Sequence, residues 1–434
     1  MDETRSWERP VSVMFTGDSK TGVIERVSDL KKKLQENGQA WLAEEYRISG
    51  SDRGGHRLAF AARTGEEAAA KCGRAIEFLM EDIRDRWEND GIAYSARSVE
   101  PGKKVAVLFP GQGTQRIGML SEMAEHCSQM ERVIALADEL LGRAGQPTVS
   151  ELTYPSCLTE EEKRAAQVRL QRTENTQPVL AAMESGVYEA ARERGLRADC
   201  LIGYSFGELV ALWADGVYDM ETLFRVARER GRFMGRKTEN AAMMAVLSDR
   251  ETVRGLVSGW ERLYLANENS PTQTVVSGDA EEMAQMQEVL TRQGVRFIPM
   301  RVTGSFHSPY MERAAKELRV FLEGETLGAP TGRVIANYNA APYPAGDGKA
   351  IPGILERQMI DPVYFQSSIE RAYADGVRIF VEAGGGSVLT DLIGEILEGR
   401  DYEALSLCPG EGKESMLDFE TAMARLTVLG LPIR

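Results

Sequence analysis

The sequence predicts an α/β protein: a parallel sheet covered by helices, a small unit of different grammar inserted into it, and an α+β unit ahead of it. Three observations predict this. KVAVLF at residues 104–109 is a continuous apolar run, the pattern of a strand buried on both faces. DCLIGYS (199–205) and GVRIFVEAGGG (376–386) each pass from an apolar stretch through a glycine-containing turn into a helical pattern, at 207–214 and 388–397. Strands alternating with helices make a parallel sheet. Between them, MMAVLS (243–248), a helix from Glu251, RLYLANE (262–268), QTVVSG (273–278), a helix over 281–293 and VRFIPM (295–300) read β-α-β-β-α-β, the split ferredoxin-like unit.

The remaining elements follow in order. The first hundred residues hold an apolar run at 11–15, a helical pattern over 23–34, an extended segment at 57–61 and a second helix over 66–80. Gly102 breaks the chain before the first buried strand. A helix over 177–194 leads into the second strand, and Ser387 is suited to cap the helix at 388–397. After Asp401 come a short apolar run at 404–408 and a helix over 415–429. The expected units are 1–102 (α+β, linker-like), 103–236 with 304–398 (large α/β), 237–303 (ferredoxin-like) and 399–434 (a C-terminal linker segment).

At 434 residues the chain has room for two or three globular units. Its 43% hydrophobic and 27% charged residues exclude a disordered or collagenous chain. A net charge of −14 disfavours nucleic acid or an anionic membrane surface as the principal partner. The five cysteines, Cys72, Cys127, Cys157, Cys200 and Cys408, are scattered without a C-x-x-C, so neither a disulfide framework nor a cysteine metal site is expected, and a reducing cytoplasm fits. No targeting segment and no membrane span is expected.

GYSFGE (203–208) carries the sharpest chemical signal. A serine between two glycines, after a buried strand and before a helix, matches the G-x-S-x-G nucleophile elbow of an α/β-hydrolase-like core. Ser205 is the candidate nucleophile, and the helix N-terminus behind it offers backbone N–H groups, that of Phe206 first, to a developing oxyanion. An ordinary turn with a capping serine is the alternative. The chain has three histidines, His56, His126 and His307. His307, in the turn-rich GSFHSPYM (304–311) directly after the insertion, reads on its own residues first as a structural histidine, with the base for Ser205 as the other reading. FPGQGTQ (109–115) lacks the lysine and spacing of a phosphate loop, and reads either as a plain turn or as a second oxyanion donor through the Gln112 N–H. The helix over 222–236 carries Arg225, Arg228, Arg230, Arg232 and Arg236, a solvated basic face unless one of them turns inward to hold a carboxylate.

FPGQGTQ, GYSFGE, RERGRFM (228–234), GSFHSPYM, QMIDPVYF (358–365) and VEAGGGSVL (381–389), in this order and spacing, resemble the malonyl-CoA:acyl-carrier-protein transacylase family across about 105–397. The segment ending HRLAF (56–60) and the C-terminal VLGLPIR (428–434) resemble the linkers flanking an acyltransferase domain in a polyketide synthase, the first on the ketosynthase side. The resemblance implies an acylated Ser205, His307 as its base, an oxyanion hole from the Gln112 and Phe206 N–H groups, and Arg230 as a clamp on the malonyl carboxylate. It implies that the Gln358 carbonyl orients the histidine, making a Ser–His dyad. It further implies malonyl-CoA as substrate, the phosphopantetheine thiol of an acyl carrier protein as acceptor, a neighbouring ketosynthase, and no cofactor or metal.

Three positions depart from that pattern. Tyr204 replaces the usual histidine, GGGS (384–387) replaces Gly-Pro-Gly, and GSFH (304–307) matches neither common specificity tetrapeptide. Phe306 resembles the malonyl-type pattern, whose ring leaves little room for a 2-methyl branch. GYSFGELVALWADGVYD (203–219) also resembles acyltransferases of enediyne and polyunsaturated-fatty-acid synthases. Two other readings remain: a serine hydrolase, which would bring an acidic third residue to the histidine, and a carrier-protein docking module with a decayed site.

Overall fold

The computed structural model describes residues 9–36, 55–97, 103–156, 159–236, 240–300, 304–410 and 412–434. Cys157, Gly102 and the expected boundaries at 102, 237 and 303 lie outside the described residues.

The N-terminal unit is an antiparallel sheet of β1 (Val11–Gly17), β2 (His56–Ala62), β3 (Arg86–Asn89) and β4 (Ile92–Ser95), ordered β1-β2-β4-β3. The helix Lys20–Glu36 buries Val23, Val27, Leu30 and Leu34, one stripe at helical spacing, into the same core as Phe15 and Phe60. The β3–β4 hairpin goes beyond the sequence expectation. Its four-residue strands are too short to show a period, but its turn, Asp90-Gly91, has φ of 53° and 67°, as a two-residue hairpin turn requires.

The chain enters the large sheet with β5 (Lys104–Phe109) and β6 (Cys200–Gly203), then leaves it for β7 (Ala241–Val246), β8 (Leu263–Ser270), β9 (Gln273–Asp279) and β10 (Phe297–Met300). It returns with β11 (Val334–Ala336) and β12 (Ala341–Pro342), visits the small sheet again as β13 (Val363–Tyr364), and completes the large one with β14 (Val377–Glu382) and β15 (Glu403–Ser406). The large sheet runs β12-β11-β6-β5-β14-β15, parallel except for β12. Its order spreads outward from β5 in both directions, which opens a crevice at the carboxyl ends of the central strands.

The small sheet runs β10-β7-β9-β8, the ferredoxin-like order, with β13 added in parallel beside β8 (Val363 opposite Asn267). Its sheet therefore does not close within 237–303: β13 covers the β8 edge, which would otherwise present unpaired backbone groups. The C-terminal segment, expected as a linker, supplies β15 and the helix Ser415–Val428. That helix packs on β1 and β2, where Arg57 Nε donates to the Val428 carbonyl (2.9 Å). Ser387 does not cap the helix Val388–Ile396 with its side chain, which bonds Asp391 (3.3 Å) instead. The carboxylate of Glu382 takes that place, accepting the N–H groups of Leu389 (3.3 Å) and Thr390 (2.8 Å).

Candidate active site

β6 ends at Gly203, and the helix Gly207–Ala214 begins after a turn in which Ser205 has φ of 52°. That left-handed conformation costs a residue with a Cβ about 1–2 kcal/mol. The flanking glycines are required by space. A Cβ on Gly203 would lie 2.0 Å from the Glu208 nitrogen, and one on Gly207 would lie 2.1 Å from the Phe109 carbonyl at the end of β5. The turn is gripped from outside: Ser205 N–H donates to Asn337 Oδ1 (2.7 Å), Asn337 Nδ2 to the Gly203 carbonyl (2.6 Å), and Gln358 Nε2 to the Ser205 carbonyl (2.6 Å).

His307 sits in the loop leading to the helix Glu312–Glu323, also left-handed with φ of 55°. Ser305 Oγ bonds the Gly278 carbonyl and Ser308 Oγ the Ser305 carbonyl, each at 2.6 Å, bracing this loop against β9. His307 Nε2 lies 2.7 Å from Ser205 Oγ, and Nδ1 lies 3.0 Å from the Gln358 carbonyl oxygen. Gln358 belongs to the last turn of the helix Ile351–Ile360, where carbonyls lack intrahelical partners. A carbonyl only accepts, so Nδ1 carries the proton and Nε2 is left to accept from the serine hydroxyl. Burial, and then the charge of Arg230, hold the imidazole pKa down to about 4, so the ring is neutral at pH 7. The third position of a hydrolase triad is thus filled by a backbone oxygen.

A cavity of about 350 Å³ opens onto Ser205 and His307, and Gln112, Tyr204, Arg230 and Phe306 also line it. Arg230, on the helix Met220–Met234, is 1% exposed. Nη2 donates to Gln358 Oε1 (3.2 Å), and Nε is buried without a protein acceptor. Burial lowers its pKa to about 10, which leaves it cationic at pH 7. A buried cation with an unspent N–H at the wall of a cavity is built for an anion. The other arginines pair outward: Arg225 with Glu325, Arg228 and Arg232 with Glu229, and Arg236, which lies just past the end of the helix expected to reach it, with Glu317.

Gln112 follows the end of β5, with its side-chain oxygen held by Gln177 Nε2 (3.0 Å) and by Thr173 Oγ1. A Cβ on Gly111 would lie 2.5 Å from the Tyr204 carbonyl, so this loop and the serine turn are in direct contact. Phe206 is fully buried, its N–H at the mouth of the following helix. Phe306 is 7% exposed at the cavity wall. Tyr204 packs edge-on against Phe365 and donates from its hydroxyl to Asn269 Oδ1 (2.7 Å), tying the serine turn to β8. The other two histidines lie elsewhere: His56 bonds the Tyr94 hydroxyl (2.7 Å) and His126 is near Glu125.

Sequence reasoning missed Asn337, the side chain of Gln358 and the wall residues Met234 and Met243. Met234 was findable, since it lies one helical turn beyond Arg230 on the same face. The carboxyl of Glu208, in the serine motif itself, is also buried, accepting the Asn337 N–H (2.9 Å) and the Tyr343 hydroxyl, and burial raises its pKa to about 7. Among the described residues no group of acidic, histidine and cysteine side chains is arranged to hold a metal, and no helix is long and apolar enough to cross a membrane.

The chain is similar to known proteins. Residues 107–432 match the family model described as an acyl transferase domain. Malonyl CoA-acyl carrier protein transacylase of Bacillus subtilis is 33% identical over 68% of this chain and 90% of its own length. A polyunsaturated fatty acid synthase polypeptide of Thraustochytrium is 30% identical over 91% of this chain, which spans only 14% of that polypeptide. The acyl transferase domain of ZmaA superposes with a TM-score of 0.83 at 21% identity, covering 99% of this chain and 96% of that one, a likeness of fold. The match covers the serine turn, the histidine and most of the parallel sheet, and this chain belongs to the acyl transferase domain family and is an acyltransferase.

Proposed function

We propose that the chain moves a malonyl group from malonyl-CoA to the phosphopantetheine thiol of an acyl carrier protein through an ester on Ser205. The observation that carries this reading is a Ser205–His307 pair at 2.7 Å sharing one cavity with the buried cation Arg230. Ser205 Oγ attacks the thioester carbonyl while His307 Nε2 takes its proton. The oxyanion forms between the N–H groups of Gln112 and Phe206. Collapse breaks the carbon–sulfur bond, and the departing thiol regains a proton from His307. The pantetheine thiol then attacks the ester by the same steps in reverse. Arg230 pairs with the free carboxylate, and Phe306 presses on the carbon between the two carbonyl groups, disfavouring a 2-methyl branch. The acyl group passes from sulfur to oxygen to sulfur without a redox change, so the reaction calls for no cofactor.

The name of the Bacillus subtilis relative supports the malonyl donor and the carrier acceptor. The match to the Thraustochytrium synthase over 91% of this chain, N-terminal unit included, supports a ketosynthase neighbour in a larger synthase. We place the reaction in the cytoplasm, where acyl-CoA pools meet carrier proteins. Incubation with malonyl-CoA and holo carrier protein should give malonyl carrier with ping-pong kinetics. Hydrolysis of malonyl-CoA at the same rate with and without carrier would instead favour a hydrolase.

A further inference from the structure

We propose that Asn337 is a positioning residue for the transfer: its carboxamide holds Ser205 in the left-handed conformation that aims the hydroxyl at His307. This rests on the reading of Ser205 as the nucleophile.

The geometry is that of a strand continued by a side chain. β11 runs parallel to β6, with Ile335 opposite Ile202, and ends at Ala336. One residue later the Asn337 carboxamide does what a further backbone unit of β11 would do. Its Nδ2 donates to the Gly203 carbonyl (2.6 Å) and its Oδ1 accepts the Ser205 N–H (2.7 Å), gripping the polar groups on either side of Tyr204 as the chain turns out of the sheet. The backbone of Asn337 is equally committed. Its N–H donates to Glu208 Oε2 (2.9 Å) on the helix that follows the serine, and its carbonyl accepts the Tyr364 N–H (2.9 Å) of β13, which pairs with β8.

Asn337 is 1% exposed, so water does not stand in for the carboxamide when it is removed. A left-handed φ at a residue with a Cβ persists only where surrounding bonds over-determine it. Without Asn337 the Ser205 N–H and the Gly203 carbonyl lose their partners, and the turn relaxes toward the right-handed region, swinging Oγ away from Nε2. The cavity walls and Arg230 keep their own contacts, so donor binding is little affected.

The test compares Asn337→Ala and Asn337→Asp with wild type and Ser205→Ala, following acylation by malonyl-CoA with rapid quenching and intact-protein mass spectrometry, alongside thermal melts. Asn337→Ala should lose about 100-fold in maximal acylation rate, the cost of a displacement of roughly 1 Å, with KM within about threefold of wild type. Asn337→Asp keeps an acceptor for Ser205 but lacks the donor to Gly203, and should lose at least about tenfold by the same argument. It decides the matter alone if the alanine variant does not fold. A lowered melting temperature with an acylation rate within about threefold of wild type, or a loss carried entirely by KM, overturns the proposal. An adduct on Ser205→Ala would overturn the nucleophile reading instead.

Discussion

His307 Nδ1 lies 3.0 Å from the backbone oxygen of Gln358, which accepts its N–H, while the Gln358 side chain reaches both Arg230 and the Ser205 carbonyl. One residue therefore sets the tautomer of the base, the placement of the cation and one end of the serine turn. Its carbonyl raises the histidine pKa, but burial and the neighbouring guanidinium outweigh it and leave the value at about 4.

The pH profile follows with a definite sign. The base works only when neutral, so kcat/KM with malonyl-CoA should hold from pH 7 down to about 5 and fall through about 4. In Arg230→Gln the positive charge that depresses the imidazole is gone, so the acid limb should move up toward the ordinary histidine range. A wild-type limb already near 6.5 would contradict the buried, cation-flanked setting of His307.

Arg230→Gln should also change substrate preference. Malonyl-CoA loses its charged partner and should fall by more than about tenfold in kcat/KM, a charge-assisted hydrogen bond being worth about 1.5–3 kcal/mol. Acetyl-CoA, without a carboxylate, should hold or gain. Equal losses with the two donors would remove the clamp.

Phe306→Ala enlarges the wall beside the reacting carbons. The ratio of methylmalonyl to malonyl transfer, measured in direct competition, should rise by about tenfold or more, the usual value of one methyl group's fit. An unchanged ratio would place the branch elsewhere, against Met234 or Met243.

A buried carboxyl away from the cavity gives a stability prediction. Glu184, within the helix Thr173–Glu193, has both oxygens buried without protein partners, and burial and then Glu382 push its pKa well above 4.5. The folded protein keeps it neutral while the unfolded chain ionises above its ordinary value, so this position loses stability as pH rises. Glu184→Gln cannot ionise. Its melting temperature should therefore climb relative to wild type as pH rises above the ordinary carboxyl range, and a pH-independent difference would contradict this.

Much of this architecture is legible in the sequence because many of its strands begin or centre on apolar runs and several lie beside glycines. KVAVLF and the β-α-β-β-α-β insertion appear within a residue or two of where they are read. Short pieces are not legible: β11, β12 and β13 have three, two and two residues, too few for a period, and their pairing depends on contacts remote in sequence. The site divides the same way. Ser205 and Arg230 stand in contiguous motifs, but Asn337 acts from the end of one of those short strands, 132 residues from the serine it grips. Nothing local marks it. Ser387 misled for the opposite reason: it stands at the right place for a cap, but Glu382 reaches the same N–H groups from the end of β14.

The proposed chemistry turns on Ser205 carrying the malonyl group. Wild type and Ser205→Ala, mixed briefly with equal malonyl-, methylmalonyl- and acetyl-CoA and weighed intact, decide it. A malonyl adduct should form on wild type alone and map to the peptide that contains Ser205. An adduct on the folded alanine variant, or no adduct on wild type with every thioester intact, would contradict it.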